Sequence, residues 1–489
     1  MFEPEKPSSQ NSSSRLVLLI GAAVAVVLMI GIAGFFVFQK WSSSRNDAHY
    51  AAVEENRAQQ RAAAGDTANP TTAPAANSNQ ATAAAPAATA ATETGSETAS
   101  AHAGRNYWTD FRGPRRDGRY DEMAVVTSWP ASGLAPIWKQ PIGIGYASFV
   151  IADGRAYTLE QRRRQEVATA YDVASGREIW AQGWNAEFTD ETGDGPRATP
   201  TWDNGRLYAL GATGELRCLD AKTGAVVWGK NILRENGASN LPWAMAASPL
   251  IVDDKVIVLP GGTSGNSVVA YNKNNGTPVW KALNDRQAYV SPMLVTLSGR
   301  RQILVVSSSR IVGLAPENGA VLWSQGWDTD MGINVSQPIV VDANRVFISS
   351  GYGKGAALLE VSGSGSSFSV KSIWENINMK NKFNSSVLHN GHVYGLDEGI
   401  LTCVDVNTGE RKWKGGRYGY GQVLLASNHL IVSTDQGELV LLRATPDQHA
   451  EVARFAALEG KTWNYPAIAG GRLLVRNATQ MAAYNIAAQ

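Results

Sequence analysis

Cysteine is almost absent from this 489-residue chain, which holds only Cys218 and Cys403. Two thiols cannot build a disulfide framework or a cysteine-based zinc site. An excess of one charge is missing as well, since 44 basic side chains stand against 43 acidic ones. That balance lacks the basic footprint of a general nucleic-acid binder, and no nucleic-acid partner is expected. There is no G-x-S-x-G elbow and no phosphate-binding glycine loop, so the usual marks of acyl and phosphoryl transfer are wanting. His389 and His392 flank the Asn390-Gly391 turn on opposite strands. No further ligands accompany them, and no metal site is expected. What abounds is glycine, 48 residues, and tryptophan, 15. That is the composition of short strands joined by tight turns.

One long apolar run stands apart. Leu16–Phe38 carries no charge and ends in Phe35, Phe36, Phe38 and Trp41, long enough to cross a bilayer as a helix and too long for a cleaved signal. Residues 1–15 are then a short tail and 16–39 a transmembrane helix. Basic residues flank it about equally, Lys6 and Arg15 before and Lys40 and Arg45 after. A short leading tail before a large domain places the bulk of the chain outside the membrane's cytoplasmic face. Residues 40–104 begin with a charged, alanine-rich stretch that can continue as a frayed helix. They end in Ala, Thr, Ser, Asn, Pro and Gly. So little can be buried there that the segment is expected to be a disordered tether.

Beyond it the chain repeats. Five segments share a turn ending in glycine and a tryptophan four residues on: Tyr171–Trp180, Cys218–Trp228, Ala270–Trp280, Gly313–Trp323 and Cys403–Trp413. Asp172, Asp220, Asn272 and Asp405 can bond the turn backbone, and the glycines can take positive φ. Each tryptophan is expected to wedge between neighbouring sheets. Between these units lie hairpins turned by Asp153-Gly154, Asn204-Gly205, Asn390-Gly391 and Gly470-Gly471. Two hairpins make a four-stranded blade, and blade starts near 147, 198, 247, 290, 336, 384, 420 and 464 count eight. The eighth has only three strands of its own. Residues 134–142, with Trp138, are therefore predicted to complete it and close the ring. The fold class is all-β, an eight-bladed β-propeller over 105–489, preceded by one transmembrane helix and a disordered linker.

In such a ring the innermost strands line a central funnel. Their lead-in positions are Tyr146, Arg197, Ala246, Tyr289, Val335, Phe383, Gly419 and Trp463, followed one residue later by Asn384, Tyr420 and Asn464 among others. Arg197, Tyr289, Asn384, Tyr420, Trp463 and Asn464 form the candidate funnel site, a mixed aromatic and hydrogen-bonding set suited to a polar, planar or anionic ligand. The alternative is that they plug the channel with water. Residues 181–196, with Trp184, Phe188 and several carboxylates, are a candidate partner loop. Arg162-Arg163-Arg164 reads as a solvated turn. Arg112, within Asn106–Gly118, is expected to cap one mouth, with Trp108 and Phe111 as anchors.

The glycine–tryptophan hairpins resemble the PQQ-type repeats of quinoprotein alcohol dehydrogenases and of BamB-like envelope propellers, over about residues 134–489. The Trp108–Pro114 motif is similar to the opening of secreted propellers of this family. The resemblance implies a propeller but not an activity, because cofactor-binding and purely structural members share the repeat. Quinoprotein dehydrogenases set a vicinal cysteine pair over their cofactor and hold calcium beside it. Here Cys218 and Cys403 fall in blades two and six, on opposite sides of the ring, too far apart for a disulfide. The expectation is a non-catalytic binding or assembly scaffold of the bacterial envelope, with envelope proteins as partners and no cofactor. The alternatives are a quinoprotein-like oxidoreductase holding pyrroloquinoline quinone with calcium in the funnel, and a glycan-binding propeller.

Overall fold

The computed structural model describes residues 46–63 and 108–488. The predicted transmembrane run lies outside the described residues, as does most of the predicted linker. Within that linker residues 46–63 are helical, the helix that the charged, alanine-rich stretch allowed for. Among the described residues no helix is long and apolar enough to cross a membrane. The chain divides into two compact units, and the second, Asn56–Gln489, contains the last turns of that helix and all the blades.

The sheets number eight. Blade 1 runs Val150–Ala152, Arg155–Arg162, Gln165–Asp172 and Glu178–Asn185. Blades 2 to 7 repeat this antiparallel plan over residues 201–231, 250–282, 293–326, 339–376, 387–417 and 422–456. Blade 8 has three strands of its own, Ala467–Ala469, Arg472–Arg476 and Gln480–Asn485. Its fourth is Pro136–Pro141, antiparallel to Gln480–Asn485 with Trp138 opposite Ala483. The predicted closure is the observed one. Arg119–Tyr120 adds a short parallel strand to the inner edge of blade 7, which the repeat pattern did not suggest.

The hairpins have the predicted chemistry. Asp153, Asn204 and Asn390 and the glycines after them all take positive φ, as two-residue turns of this hand require. In the tryptophan hairpins Asp172 Oδ1 accepts from Ser175 N at 2.8 Å and Asp405 Oδ1 from Asn407 N at 2.8 Å. Gly176, Gly224, Gly276, Gly319 and Gly409 sit at φ 73–78°.

The glycine and the tryptophan turn out to serve one joint between adjacent blades. The indole of Trp180 in blade 1 lies on Gly224 of blade 2, where a Cβ would come within 2.7 Å of the ring. Its Nε1 donates to Ala221 O in the same turn at 3.1 Å. The joint recurs as Trp138 on Gly176, Trp228 on Gly276, Trp280 on Gly319 and Trp374 on Gly409. In each the indole donates to the carbonyl of the turn's second residue. Blade 5 replaces the short turn with a hairpin of ten-residue strands, Gly355–Ser364 and Ser367–Asn376. Trp323 of blade 4, facing it, turns to Gln302 Oε1 of its own sheet at 2.6 Å. In blade 7 Phe455 takes the indole's place and packs on Gly133 and Trp129. The core is therefore a series of inter-blade seams, such as Tyr157, Leu159 and Trp184 against Trp202 and Leu207 between blades 1 and 2. Closure matters because each seam needs a neighbour on both sides.

Candidate functional site

Successive residues of the inner strands form successive layers along the axis. The lead-in residues make an aromatic and cationic rim. Phe383 stands 5.0 Å from Tyr420 and 5.2 Å from Trp463 between ring centroids, and Trp463 is 5.9 Å from Tyr146. Lys461 Nζ lies 4.2 Å over Trp463, and Lys382 Nζ 5.6 Å over both Tyr352 and Tyr420. Arg197 sits over Phe188 at 4.5 Å and Tyr146 at 5.4 Å, and its Nη2 donates to Gly193 O at 2.5 Å. Tyr289 pairs with Trp243 at 6.0 Å, and its backbone N donates to Asn334 O. Burial raises the Tyr146 and Tyr289 hydroxyls to about 12, so both stay neutral hydrogen-bonding groups.

Of the six candidate funnel residues the structure thus groups Tyr420 and Trp463 in one aromatic cluster, with Arg197 reaching it through Tyr146. Asn384 and Asn464 turn one atom each to other partners and leave Asn384 Nδ2 and Asn464 Oδ1 without a hydrogen bond among the described residues. Asn384 Oδ1 accepts from Asn381 Nδ2 at 2.9 Å, while Asn464 Nδ2 donates to Ala147 O at 2.9 Å and Gly145 O at 3.2 Å. Both are buried. Asn464 ties blade 8 to blade 1.

The next layer was not foreseen. Ser148, Thr199, Ser248, Ser291, Gln337 and Ser385 occupy the same place in six consecutive blades and join them in a belt. The backbone N of each of the first five donates to the side-chain oxygen of the next, at 2.7–3.0 Å. Blade 7 has Gly421 at this position, and Gln422 bridges instead, donating to Phe383 O and Trp463 O. Ser148 Oγ closes the circle on Tyr465 O at 2.6 Å. Inner-strand ends that are too far apart for ladder pairing thereby satisfy their buried amides. The readable clue was a Ser or Thr two residues after the lead-in position in five of the blades, with Gln337 in the same place in blade 5.

Below the belt the 108–120 segment closes the second mouth. Trp108 and Ile151 exchange backbone bonds at 2.8 Å, and Trp202 N donates to Thr109 O. Arg116, 2 % exposed, donates to Pro292 O at 2.9 Å, Ser248 O at 3.3 Å and Pro249 O, and pairs with Asp110 at 3.0 Å. Burial lowers the Arg116 pKa and raises that of Asp110 against their mutual attraction. Arg112 Nη2 donates to Ser386 O at 2.8 Å, and its guanidinium lies 5.3 Å over Tyr465. Phe111 packs edge-on to Tyr465 at 4.9 Å. The expected cap is thus a plug, anchored by the buried Arg112 and Arg116.

Two expectations are corrected here. Trp184 is not an exposed loop aromatic: the outer strand of blade 1 continues through it, and its buried indole donates to Glu166 at 3.0 Å. Phe188 lies half-buried under Arg197. Nor is the arginine run wholly solvated, since Arg162 turns inward to Glu160 and Glu178, leaving Arg164 exposed. Cys218 and Cys403 are free, buried, and in the third strands of blades 2 and 6. Burial raises their thiols to about 11 and about 12. Among the described residues no three His, Cys, Asp or Glu side chains converge on a metal-sized site. The rim sets Asp435 beside Tyr420 N at 3.3 Å and Asp190 and Asp194 near Arg197, but these carboxylates do not converge, and calcium takes several oxygens at once.

Fold and funnel together define an eight-bladed propeller of the PQQ-repeat class. The family profile described as outer membrane protein assembly factor BamB matches residues 163–415, and the chain belongs to that family. The chain is 24 % identical over 266 residues to BamB of Moranella endobia, covering 51 % of this chain and 62 % of that protein. It is 30 % identical over 116 residues to BamB of Shewanella oneidensis, covering 23 % and 26 %. It is 26 % identical over 153 residues to a 1-butanol dehydrogenase (cytochrome c) of Thauera butanivorans, covering 29 % and 21 %. The aligned parts thus span about a quarter or less of the last two relatives. The crystal structure of BamB from Moraxella catarrhalis superposes with TM-score 0.52 at 18 % identity, over 72 % of this chain and 99 % of that one. A quinohemoprotein alcohol dehydrogenase from Comamonas testosteroni gives 0.56 at 14 %, over 80 % and 82 %. At these identities the superpositions speak for the fold alone.

Proposed function

We propose that this protein is a BamB-like binding scaffold of the bacterial envelope. Leu16–Phe38 anchors it in the inner membrane, the propeller stands on the periplasmic side, and its partners are envelope proteins. The observation that carries the reading is the rim. Half-buried Tyr146, Phe383, Tyr420 and Trp463 stand beside Arg197, Lys382 and Lys461 at the mouth opposite the plug, and such aromatic and arginine groups dominate protein-binding hot spots. The charges of Asp190 and Asp194 bear on Arg197 and Lys461, while Lys382 lies over the rings of Tyr352 and Tyr420, so the cation-rich rim favours a partner that brings carboxylates.

A photo-crosslinking amino acid at Tyr420 in intact cells is expected to give discrete adducts with envelope proteins, while one at Val279 on the outer edge gives none. Equal patterns at both positions, or no adducts, would sink the scaffold reading. A phosphatase reporter fused after Gln489 is expected to be active, and an inactive one would overturn the topology. The rings and cations also suit a flat anionic quinone, so the purified protein should be titrated with pyrroloquinoline quinone and calcium. No change in absorbance or melting is expected, and a saturable change would establish the oxidoreductase reading instead.

A further inference from the structure

The closing seam, between the Pro136–Pro141 strand and blade 1, is the one joint that the repeat does not build with consecutive blades. There the helix of residues 46–63 supplies a side chain that the propeller encloses. Arg57, 3 % exposed, donates from Nη2 to Pro141 O at 3.1 Å and to the Tyr171 hydroxyl at 3.0 Å. Its Nε lies 3.3 Å from Glu178 Oε2, and its guanidinium 4.9 Å over the Tyr171 ring. One turn on, Gln60 Nε2 donates to Gln140 Oε1 at 2.5 Å, and Glu178 N donates to Gln60 Oε1 at 3.5 Å. Behind them Tyr171 donates to Glu160 at 2.5 Å, and Arg162 bridges Glu160 and Glu178. Glu160 is fully buried. Burial alone would raise its pKa, but Arg162, Arg57 and Arg476 overcome that and bring it to about 2. The pocket holds two carboxylates and is built around three arginines, one of which arrives on the helix.

We propose that this helix is a latch: it fixes the chain's N-terminal part to the closing seam, so the predicted tether is not the spacer between membrane and propeller. Residues 64–107 leave from the docked helix and return at Trp108, which is paired to Ile151 of blade 1. Both ends of that segment are fixed on one body, so its length sets no distance to anything else. The proposal rests on the membrane-anchor reading for its cellular meaning. From Phe38 to Arg57 the chain can reach about 45 Å, with residues 46–57 helical and the rest extended. A chain free from Phe38 to Trp108 could reach on the order of 200 Å. The length of chain that can separate the predicted anchor from the propeller is therefore cut about fourfold.

The test uses the full chain with a tag before Met1 and a protease site inserted near residue 85. After complete cleavage in detergent, the propeller fragment is expected to stay with the tagged fragment. Arg57→Ala with Gln60→Ala is expected to lower that retention at least tenfold, and so is Glu178→Gln on the propeller side. Melting of the uncut variants as a single transition shows that they are folded. Release of the unmodified propeller on cleavage overturns the latch, and so does retention unchanged in folded variants. Sedimentation of the uncut chain with membranes reports the anchor reading separately, because the detergent measurement does not depend on it.

Discussion

The plug offers the sharpest quantitative test of how this molecule is held together. Arg116→Met keeps much of the side-chain volume and removes the guanidinium. Asp110 then remains buried without its cation, and the carbonyls of Ser248, Pro249 and Pro292 lose their donor. Breaking a buried pair on one side costs about 3–5 kcal/mol. The neighbouring elements are tied by their own belt, so the loss falls on the docking of the plug and not on the ring. At about 1.4 kcal/mol per decade, exchange of the mutually bonded Trp108 and Ile151 amides should quicken by roughly two to three and a half orders of magnitude. Amides of the blade 3 hairpin should be unaffected. Hydrogen exchange read residue by residue decides it. Less than a fivefold change at Trp108 would mean that Arg116 is no anchor. Equal acceleration in every blade would mean that plug and ring unfold together. Adding Asp110→Asn should recover only part of the loss, because the three carbonyls stay without a donor.

Gly224→Ala and Gly205→Ala both force alanine to positive φ, but only at Gly224 does a Cβ meet the indole of Trp180. Gly205→Ala should cost about 1 kcal/mol and Gly224→Ala about 2–4 kcal/mol, compared by urea denaturation; equal costs would remove the role given to the tryptophan joint. Glu160, depressed to about 2 from an ordinary value near 4.5, contributes stability that is complete above pH 4.5 and is lost as pH falls towards 2. The amount is on the order of 3 kcal/mol. Acid unfolding of Glu160→Gln should lack that component, and an unaltered acid profile would contradict the buried network. Cys218 and Cys403, buried with their thiols raised to about 11 and about 12, should resist a thiol reagent at pH 8 in the native protein and titrate as two free thiols in denaturant. Prompt native labelling, or fewer than two thiols, would contradict their placement.

The fold was legible in the sequence because a propeller repeats its local chemistry. Asp172, Gly176 and Trp180 recur with fixed spacing, each residue type has one physical reason to stand where it does, and Trp138 without a blade of its own pointed to the closure. The site was legible only in outline. Lead-in positions could be aligned, which brought Arg197, Tyr420 and Trp463 to the rim. Alignment could not tell Trp463, facing the mouth, from Asn464, turned into a seam, because one residue of register reverses the face. Trp184 was misread for a related reason: where a strand ends in a loop depends on its neighbour.

By itself, then, the sequence determined what depends on short range: hairpins, blade count, the position of each repeat tryptophan, and the apolar run. Only tertiary structure decided which glycine each tryptophan lies on, since that partner belongs to the next blade, 35–48 residues away. It also decided the Ser–Thr–Gln belt, the burial of Arg116 among the carbonyls of blades 3 and 4, and the seat of Arg57 against blade 1. An arginine looks the same in sequence whether water or a ring of carbonyls surrounds it. Closing the ring is what removes the water.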